Sequence, residues 1–311
     1  MEEYDSYNKS IIYDRWKGGV GDFVAFFTYT LKLCIANSIR MYYLPNDEGL
    51  LLDKYIKLRY SKMYITQEKI DEIKKDNSDS IRNIVHIDQL KNLSPNVYYT
   101  FGPLNLYQYY TMDRFGTHRG IRGAQMIDFN LDKVFVFSEE VIKNVPNIFK
   151  SKMEYIAIHL RLGDACIIPG NDSDDKRPYN LKKIKNFINK NKDKTILFLC
   201  DSPEYLDSIN DEVNGNGNGN GNGNGNVNGN GNGNGNVNVN VNVITTGFEI
   251  THTDYDINRT DLRTLNTLTE YYLLTNSKEI YLGSYSGFSI TASCFKNVPI
   301  CDIDDLEGLD D

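Results

Sequence analysis

The chain has 311 residues, 40% of them hydrophobic, which is enough to build one large or two modest domains with a sizeable core. It carries 34 basic and 42 acidic residues, and the formal net charge of −8 argues against broad electrostatic capture of nucleic acid. We therefore expect no nucleic-acid partner.

The apolar segments and the cysteines predict a cytoplasmic protein. The acidic first residues lack the apolar core of a secretory signal. The longest apolar run, residues 23–39, is interrupted by Lys32 and by polar residues, so it is too polar to span a membrane. The five cysteines are scattered without paired spacing, which favours reduced thiols over disulfides or a zinc site.

The first half of the chain alternates short apolar strands with helical segments. Strands are predicted at residues 11–13, 41–44 and 98–101, and a glycine turn follows the first of them. The charged stretch 60–90 is predicted to be helical in part. Residues 23–39 predict a helix, because one face at helical spacing carries Val24, Phe27, Leu31, Cys34, Ile35 and Ser38.

The second half repeats this alternation and predicts parallel sheets with helices on both faces. The predicted strands are residues 155–160, 195–200, 243–245 and 280–282. The predicted helices are a segment marked by Leu181, Ile184, Phe187 and Ile188, a helix that begins at Pro203, and residues 261–276 and 290–295. We place a boundary near residue 150, which gives an N-terminal domain 1–150 and a C-terminal domain 151–311.

Residues 213–243 form a low-complexity tract of Asn-Gly and Asn-Val repeats. The tract has no charge and almost no side chains that can pack, and the entropy of glycine opposes a fixed structure. We interpret it as a disordered insertion that emerges at the surface of the C-terminal domain.

The glycine turn before the first long helix is a candidate anion site. Gly18, Gly19 and Gly21 allow the backbone to approach a ligand closely, and a helix N-terminus offers free N–H groups to a phosphate. The competing interpretation is a tight turn with Asp22 as the helix cap.

Residues 159–164, His-Leu-Arg-Leu-Gly-Asp, give a sharper signal. Arg161 follows a buried parallel strand, at the strand end where α/β folds bind ligands, and its guanidinium suits a bidentate phosphate contact. The alternative is an ion pair between Arg161 and Asp164 that closes a loop. His159 is a candidate general base or an orienting group.

Two later segments add polar groups. Asp201 ends another buried strand, where it either contacts a nucleobase or ribose or caps the next helix. In the segment 284–289, Ser286 and Ser289 open the last helix and offer hydroxyls and N–H groups for a phosphate, and Phe288 offers a ring for a flat ligand; the alternative is a serine-rich cap with Phe288 in the core. The acidic residues 172–175 are interpreted as a solvated loop, so no metal site is predicted.

These segments together resemble the alpha-1,2-fucosyltransferase family. Residues 18–22, Gly-Gly-Val-Gly-Asp, look like the Gly-Gly-Leu-Gly-Asn opening of that family. Residues 159–164 are similar to its His-x-Arg-x-Gly-Asp motif, which alpha-1,6- and protein O-fucosyltransferases share. Residues 198–202 and 261–295 resemble the later motifs, and the resemblance covers most of the chain outside residues 45–130 and the insertion.

The resemblance implies an α/β fold of the GT-B-like type, with two Rossmann-like domains facing each other across a cleft. Domain 1–150 would be the acceptor side and domain 151–311 would bind the nucleotide sugar. The reaction implied is inverting transfer of fucose from GDP-fucose to a glycan hydroxyl, in an alpha-1,2 linkage, without a cofactor or metal.

The resemblance also implies roles for individual residues. Arg161, a candidate catalytic residue, would hold the β-phosphate. The other candidate catalytic residue, Asp22, is not implied by the resemblance; it is our first candidate for a base that assists the acceptor hydroxyl. The candidate donor-binding residues, besides Arg161, are Gly19, Gly21, His159, Asp201, Ser286, Gly287, Phe288 and Ser289.

Three positions depart from the family pattern. Asp22 stands where the family has Asn, and Ile290 and Thr291 replace an aromatic pair. They motivate two alternatives: a non-catalytic module of the same fold that binds a nucleotide sugar or glycan, and a glycosyltransferase that uses another nucleotide sugar.

Overall fold

A computed structural model gives the structure of the protein. It describes residues 2–13, 19–45, 52–76, 81–83, 87–101, 130–150, 153–163, 177–202, 243–250 and 260–309. The strands, in chain order, are β1 (Lys9–Tyr13), β2 (Ile39–Tyr43), β3 (Ile56–Leu58), β4 (Ile81–Asn83), β5 (Tyr98–Phe101), β6 (Phe135–Phe137), β7 (Ile156–Leu160), β8 (Ile196–Cys200), β9 (Val243–Ile244), β10 (Ile280–Leu282) and β11 (Ile300–Asp302). The α-helices are α1 (Glu2–Asp5), α2 (Val20–Ala36), α3 (Leu52–Tyr55), α4 (Gln67–Asp76), α5 (Glu139–Asn144), α6 (Asn147–Lys150), α7 (Leu181–Lys190), α8 (Asp261–Thr275) and α9 (Gly287–Ser293).

Nine of these strands form two parallel sheets. The first sheet has the order β2-β1-β5-β4, and the second has the order β11-β10-β7-β8-β9. Every pairing within them is parallel, which confirms the α/β alternation expected from the sequence.

The strand order of the second sheet sets the position of the site. Its first strand in the chain, β7, lies between β8 and β10, so the direction in which strands are added reverses at the boundary between β7 and β10. In open α/β sheets, ligands bind outside the carboxyl ends of the strands at such a reversal. The residues that follow β7 and β10 are therefore the first place to look for a ligand.

A continuous aromatic core joins the elements of both sheets. Phe135 of β6 lies 5.4 Å from Phe27 of α2 and 6.1 Å from Phe295, which follows α9, measured between ring centroids. Tyr271 of α8 lies 5.7 Å from the same Phe295 ring. Because aromatic side chains bury large areas, these contacts make β6 a central packing element between the two sheets.

Most predicted elements are confirmed, with shifted ends. Helix α2 begins at Val20 and ends at Ala36, because the backbone turns at Ser38, whose φ is +53°. The predicted face of this helix is therefore wrong at its end: Ser38 lies outside the helix and Ile35 is 39% exposed. The predicted helix 290–295 is α9 and starts three residues earlier, at Gly287.

The antiparallel pair β3–β6 was not expected from the sequence. Each strand has only three residues, which is too short for a recognisable alternation. Strand β4 and helices α5 and α6 were also missed, because segments of three to six residues are too short to show a strand or helix period. Among the described residues, no helix has both the length and the apolar character needed to cross a membrane.

Candidate functional site

Two reciprocal hydrogen bonds between Arg161 and Ser284 connect the loops after β7 and β10. The backbone N–H of Arg161 donates to Ser284 Oγ at 2.8 Å, and the Ser284 hydroxyl donates to the Arg161 carbonyl at 2.6 Å. Ser284 is 4% exposed, so this exchange satisfies polar groups in a nearly dry environment. The bond fixes the position of Arg161 at the strand reversal.

The side chain of Arg161 is held by a second buried group. Its Nη1 donates to Asp201 Oδ2 at 2.7 Å, and the two side chains are only 11% and 3% exposed. The same carboxylate accepts the N–H groups of Leu162 at 2.8 Å and Gly163 at 3.3 Å. Asp201 therefore orients the guanidinium and shapes the loop that carries it.

This contact gives Asp201 a role that the sequence did not predict. The carboxylate accepts bonds from Arg161 and from the loop after β7. A helix cap by Asp201 and an Arg161–Asp164 ion pair stay predictions, because Pro203 and Asp164 lie outside the described residues. The role of Asp201 in holding a donor stays a prediction.

His159 lies beneath the loops as a buried neutral ring. It is 6% exposed, stacks on Phe288 with centroids 5.4 Å apart, and its Nδ1 is hydrogen-bonded to the Ser289 hydroxyl. Burial, with the positive charges of Arg161 and Arg177, lowers the pKa of His159 to about 3. An imidazole with this pKa is a poor base at neutral pH, so the contacts favour the orienting role.

The first turn of α2 meets the first turn of α9 through glycine. A side-chain carbon at Gly21 would lie 2.6 Å from both the Gly287 carbonyl oxygen and the Phe288 nitrogen, so only glycine fits this approach. The half-buried Asp22 stands at the same contact, with its Oδ1 3.7 Å from the position of a Cβ on Gly287. Gly21 therefore joins the glycine turn to the 284–289 segment, a packing role that the sequence did not indicate.

Two other candidates lie at the helix starts. Gly19 is the N-cap of α2, with φ −67° and ψ 161°, a conformation that any residue adopts. Ser286 is the N-cap of α9 and is 2% exposed, yet its hydroxyl makes no capping bond to that helix. The Ser286 hydroxyl therefore does not cap α9 as the serine-cap interpretation assumed.

The structure brings the predicted residues together in three linked groups. Arg161 and Asp201 meet at the end of β7, His159 meets Phe288 and Ser289 beneath it, and Gly21 and Asp22 meet Gly287 at the helix contact. The segment 284–289 belongs to all three groups. Gly18, Asp164, the acidic residues 172–175, Pro203 and residues 213–242 of the insertion lie outside the described residues.

Sequence reasoning missed three polar residues at this site. Ser284 belongs to the segment 284–289, but no role was predicted for it. Its position just after a strand was the available signal. Arg177 sits in a polar segment that gave no signal, yet its Nη1 donates to the Tyr285 carbonyl at 2.7 Å. Glu270 is a buried carboxyl on α8 that accepts a hydrogen bond from the Thr246 hydroxyl.

Glu270 is kept close to neutral by its surroundings. Burial, together with the negative charge of Asp201, raises the pKa of Glu270 from 4.5 to about 8, and the Thr246 bond opposes part of that rise.

Within the described ranges, no group of three or more His, Cys, Asp and Glu side chains is arranged to hold a metal ion.

No protein-family model matches the sequence, and no curated protein matches it either. Among solved structures, the chain is similar to a mutant of FUT1 from Arabidopsis thaliana in complex with GDP, at 11% identity and a TM-score of 0.49, over 97% of this chain and 72% of that one. It is also similar to POFUT1 in complex with GDP, at 11% identity and a TM-score of 0.47, over 96% and 99% of the two chains.

A third similar structure is the fucosyltransferase NodZ from Bradyrhizobium, at 10% identity and a TM-score of 0.47, over 96% of this chain and 95% of that one. These neighbours are fucosyltransferases by their descriptions. The function of the chain is inferred from its site residues, because likeness at this identity and TM-score does not establish a shared activity.

Proposed function

We propose that this protein is an inverting, metal-independent fucosyltransferase that moves fucose from GDP-fucose to a glycan hydroxyl in an alpha-1,2 linkage. The proposal includes a GT-B-like arrangement, in which domain 1–150 serves the acceptor and domain 151–311 binds the donor. One observation carries it: Arg161 is held by Asp201 and Ser284 at the strand reversal of the second sheet, where α/β folds bind ligands.

The chemistry requires stabilisation of a departing diphosphate. As the bond between the fucose C1 and the β-phosphate oxygen breaks, its electron pair stays with GDP and the sugar gains oxocarbenium character, as in glycoside hydrolysis. The Arg161 guanidinium is already oriented by Asp201 and can donate to the developing negative charge without reorganising. The N-terminus of the 17-residue helix α2 adds positive potential on the same side of the fold.

The acceptor side needs a group that takes a proton. The acceptor oxygen forms its bond to C1 from the face opposite the diphosphate, which inverts the configuration, and its proton passes to a base. Asp22 is our candidate, because it is half-buried in the first turn of α2 and lies next to Gly287. His159 serves instead as a neutral support for Phe288 and the loop above it.

The donor is tested by thermal stabilisation. A ligand that binds the folded protein raises its melting temperature, so GDP should raise it more than UDP or CMP at equal concentration. A larger shift with UDP would contradict the fucosyl proposal and support a glycosyltransferase for another nucleotide sugar.

The transfer itself is tested with GDP-fucose and a glycan array, with product linkage determined by digestion with a linkage-specific fucosidase. Transfer to a terminal hydroxyl with release of GDP is expected. Binding of GDP without release of fucose to any glycan or to water would instead support the non-catalytic binding module.

A further inference from the structure

Ser289 differs from the other two hydroxyl residues of helix α9. The hydroxyls of Thr291 and Ser293 each donate to a backbone carbonyl of the preceding turn, both at 2.7 Å, which is the usual bond of a hydroxyl within a helix. The Ser289 hydroxyl instead meets Nδ1 of His159 on β7. Helix α9 is therefore joined by a side-chain contact to the strand that leads to Arg161.

The direction of this hydrogen bond follows from burial. Ser289 is 0% exposed, and His159 Nδ1 is the only hydrogen-bond partner of its hydroxyl within the described ranges. A buried O–H group that donates to nothing is costly, so the Ser289 hydroxyl donates to Nδ1. Nδ1 is then an acceptor and carries no proton.

The single ring proton of His159 therefore lies on Nε2. Burial lowers the pKa of this ring to about 3, so the ring is neutral near pH 7 and one of its two nitrogens is protonated. The bond that one nitrogen accepts places the proton on the other. Nε2 makes no hydrogen bond in the part of the chain that the structure describes, and it is not one of the polar atoms sealed from solvent. Its N–H group is thus open to a ligand.

The position of the ring places this N–H group at the candidate site. His159 is the last residue but one of β7, and its carbonyl accepts the backbone N–H of Gly283 at 3.0 Å, just before Ser284. Phe288 stacks on the ring with centroids 5.4 Å apart. Phe288 and Ser289 together therefore hold the imidazole in one orientation beside the loop that carries Arg161.

We propose that Ser289 is a positioning residue: it holds His159 with its proton on Nε2, and this N–H group donates to an oxygen of the nucleoside diphosphate beside Arg161. The inference rests on the proposed function, because it assumes a nucleoside diphosphate donor. It gives His159 a contact with the donor that needs no change of charge, and it gives Ser289 a role that is exerted through His159.

The first test determines the tautomer in the ligand-free protein by NMR of histidine labelled with the nitrogen-15 isotope. The chain has four histidines, and the His159→Gln variant identifies the signals of His159. We expect a protonated Nε2, and an unprotonated Nδ1 whose chemical shift changes in Ser289→Ala because the accepted hydrogen bond is lost. A proton on Nδ1 in the wild type, or an unchanged Nδ1 shift in Ser289→Ala, would overturn the inference.

Ser293→Ala is the matched control for both tests. It removes another buried hydroxyl from the same helix, but one that is bonded to the Ile290 carbonyl rather than to His159. The ring signals of His159 and the affinity for GDP should therefore stay as in the wild type.

The second test measures GDP binding by titration calorimetry. Ser289→Ala should weaken binding about 3- to 10-fold, the range of one neutral hydrogen bond. His159→Gln should bind GDP more tightly than His159→Asn, because the amide nitrogen of Gln reaches the position of Nε2 and that of Asn the position of Nδ1. Unchanged affinity in Ser289→Ala, or equal losses in the two His159 variants, would overturn the contact.

The outcomes separate this inference from the proposed function. Melting curves of the ligand-free variants check that each is folded; if Ser289→Ala does not fold, the tautomer of the wild type and the two His159 variants decide. A wild type that binds GDP with its proton on Nδ1 overturns the inference alone. A wild type that does not bind GDP overturns the proposed function, and with it the donor contact of His159.

Discussion

The carboxyl ends of β7 and β1 lie at corresponding places in the two parallel sheets, but they are built differently. After β7, polar groups hold one another: Arg161, Asp201 and Ser284 form a buried hydrogen-bonded network. At the end of β1, Tyr13 is fully buried with its ring 5.5 Å from Phe27, and its hydroxyl has no hydrogen-bond partner among the residues that the structure describes.

The difference shows how the two halves contribute to one site. The second sheet pre-orients a cation, because each polar group in the network restricts the next. The first sheet contributes the start of α2, and its place is fixed by aromatic packing and by the glycine contact at Gly21. Changes in the second sheet should therefore alter chemistry first, whereas changes at Gly21 should alter stability first.

The largest effect is expected from Arg161→Ala. Removing a group that stabilises charge in the transition state should lower fucose transfer by at least about 10²-fold. Initial rates with GDP-fucose measure this, with Arg40→Ala as the control for loss of an arginine elsewhere. Turnover near the wild-type rate would remove Arg161 from the mechanism.

Asp201→Asn should have a smaller effect on the same reaction. The amide keeps the shape and can accept a bond from the loop, but it loses the charge that orients Arg161, so transfer should fall between about 10- and 100-fold. Because Asp201 acts through Arg161, the loss should appear in kcat more than in KM. Combining Asp201→Asn with Arg161→Ala should add little to the loss from Arg161→Ala alone; additive losses would mean that Asp201 acts independently.

Gly21→Ala tests the contribution of the first half. The added methyl group meets backbone atoms of Gly287 and Phe288 that cannot rotate away, so the free energy of unfolding should fall by about 1–3 kcal/mol. Gly287→Ala is the matched control, because among the described residues its methyl group would meet only Asp22 Oδ1, at an ordinary contact distance of 3.7 Å. Chemical denaturation should show a loss for the first variant only; equal losses would mean that the helix contact does not depend on Gly21.

A pH-dependent effect on stability is expected from Glu270→Gln. Folding raises the pKa of Glu270 from 4.5 to about 8, so the folded state keeps a proton that the unfolded state releases. The stability that this group contributes is complete below pH 4.5 and is lost as the pH rises through about 8. The stability of the glutamine variant relative to wild type should therefore rise by about 3 kcal/mol between pH 5 and pH 8, measured by denaturation at both values. If the difference in free energy of unfolding between the variant and wild type is the same at both pH values, Glu270 is not the group that titrates.

The sequence alone determined the α/β alternation and most of the strands. Continuous apolar runs such as residues 155–160 and 195–200 have a strong local signature, and they became β7 and β8 with every residue buried. It also singled out Arg161, because an arginine directly after such a strand stands at the ligand-binding end of a parallel sheet. These inferences depend only on residues that are neighbours in the sequence, so they do not require knowledge of the tertiary structure.

Only the tertiary structure determined which residues of the site contact one another. Arg161 and Asp201 are 40 positions apart, and Arg161 and Ser284 are 123 positions apart, so neither contact follows from local periodicity. The approach of Gly21 to Gly287 depends on how the two sheets pack, and Arg177 has no local pattern at all. Side-chain spacing along the chain fixes which residues share an element, whereas hydrogen bonds between strand ends exist only once the order of the strands in the sheet is set.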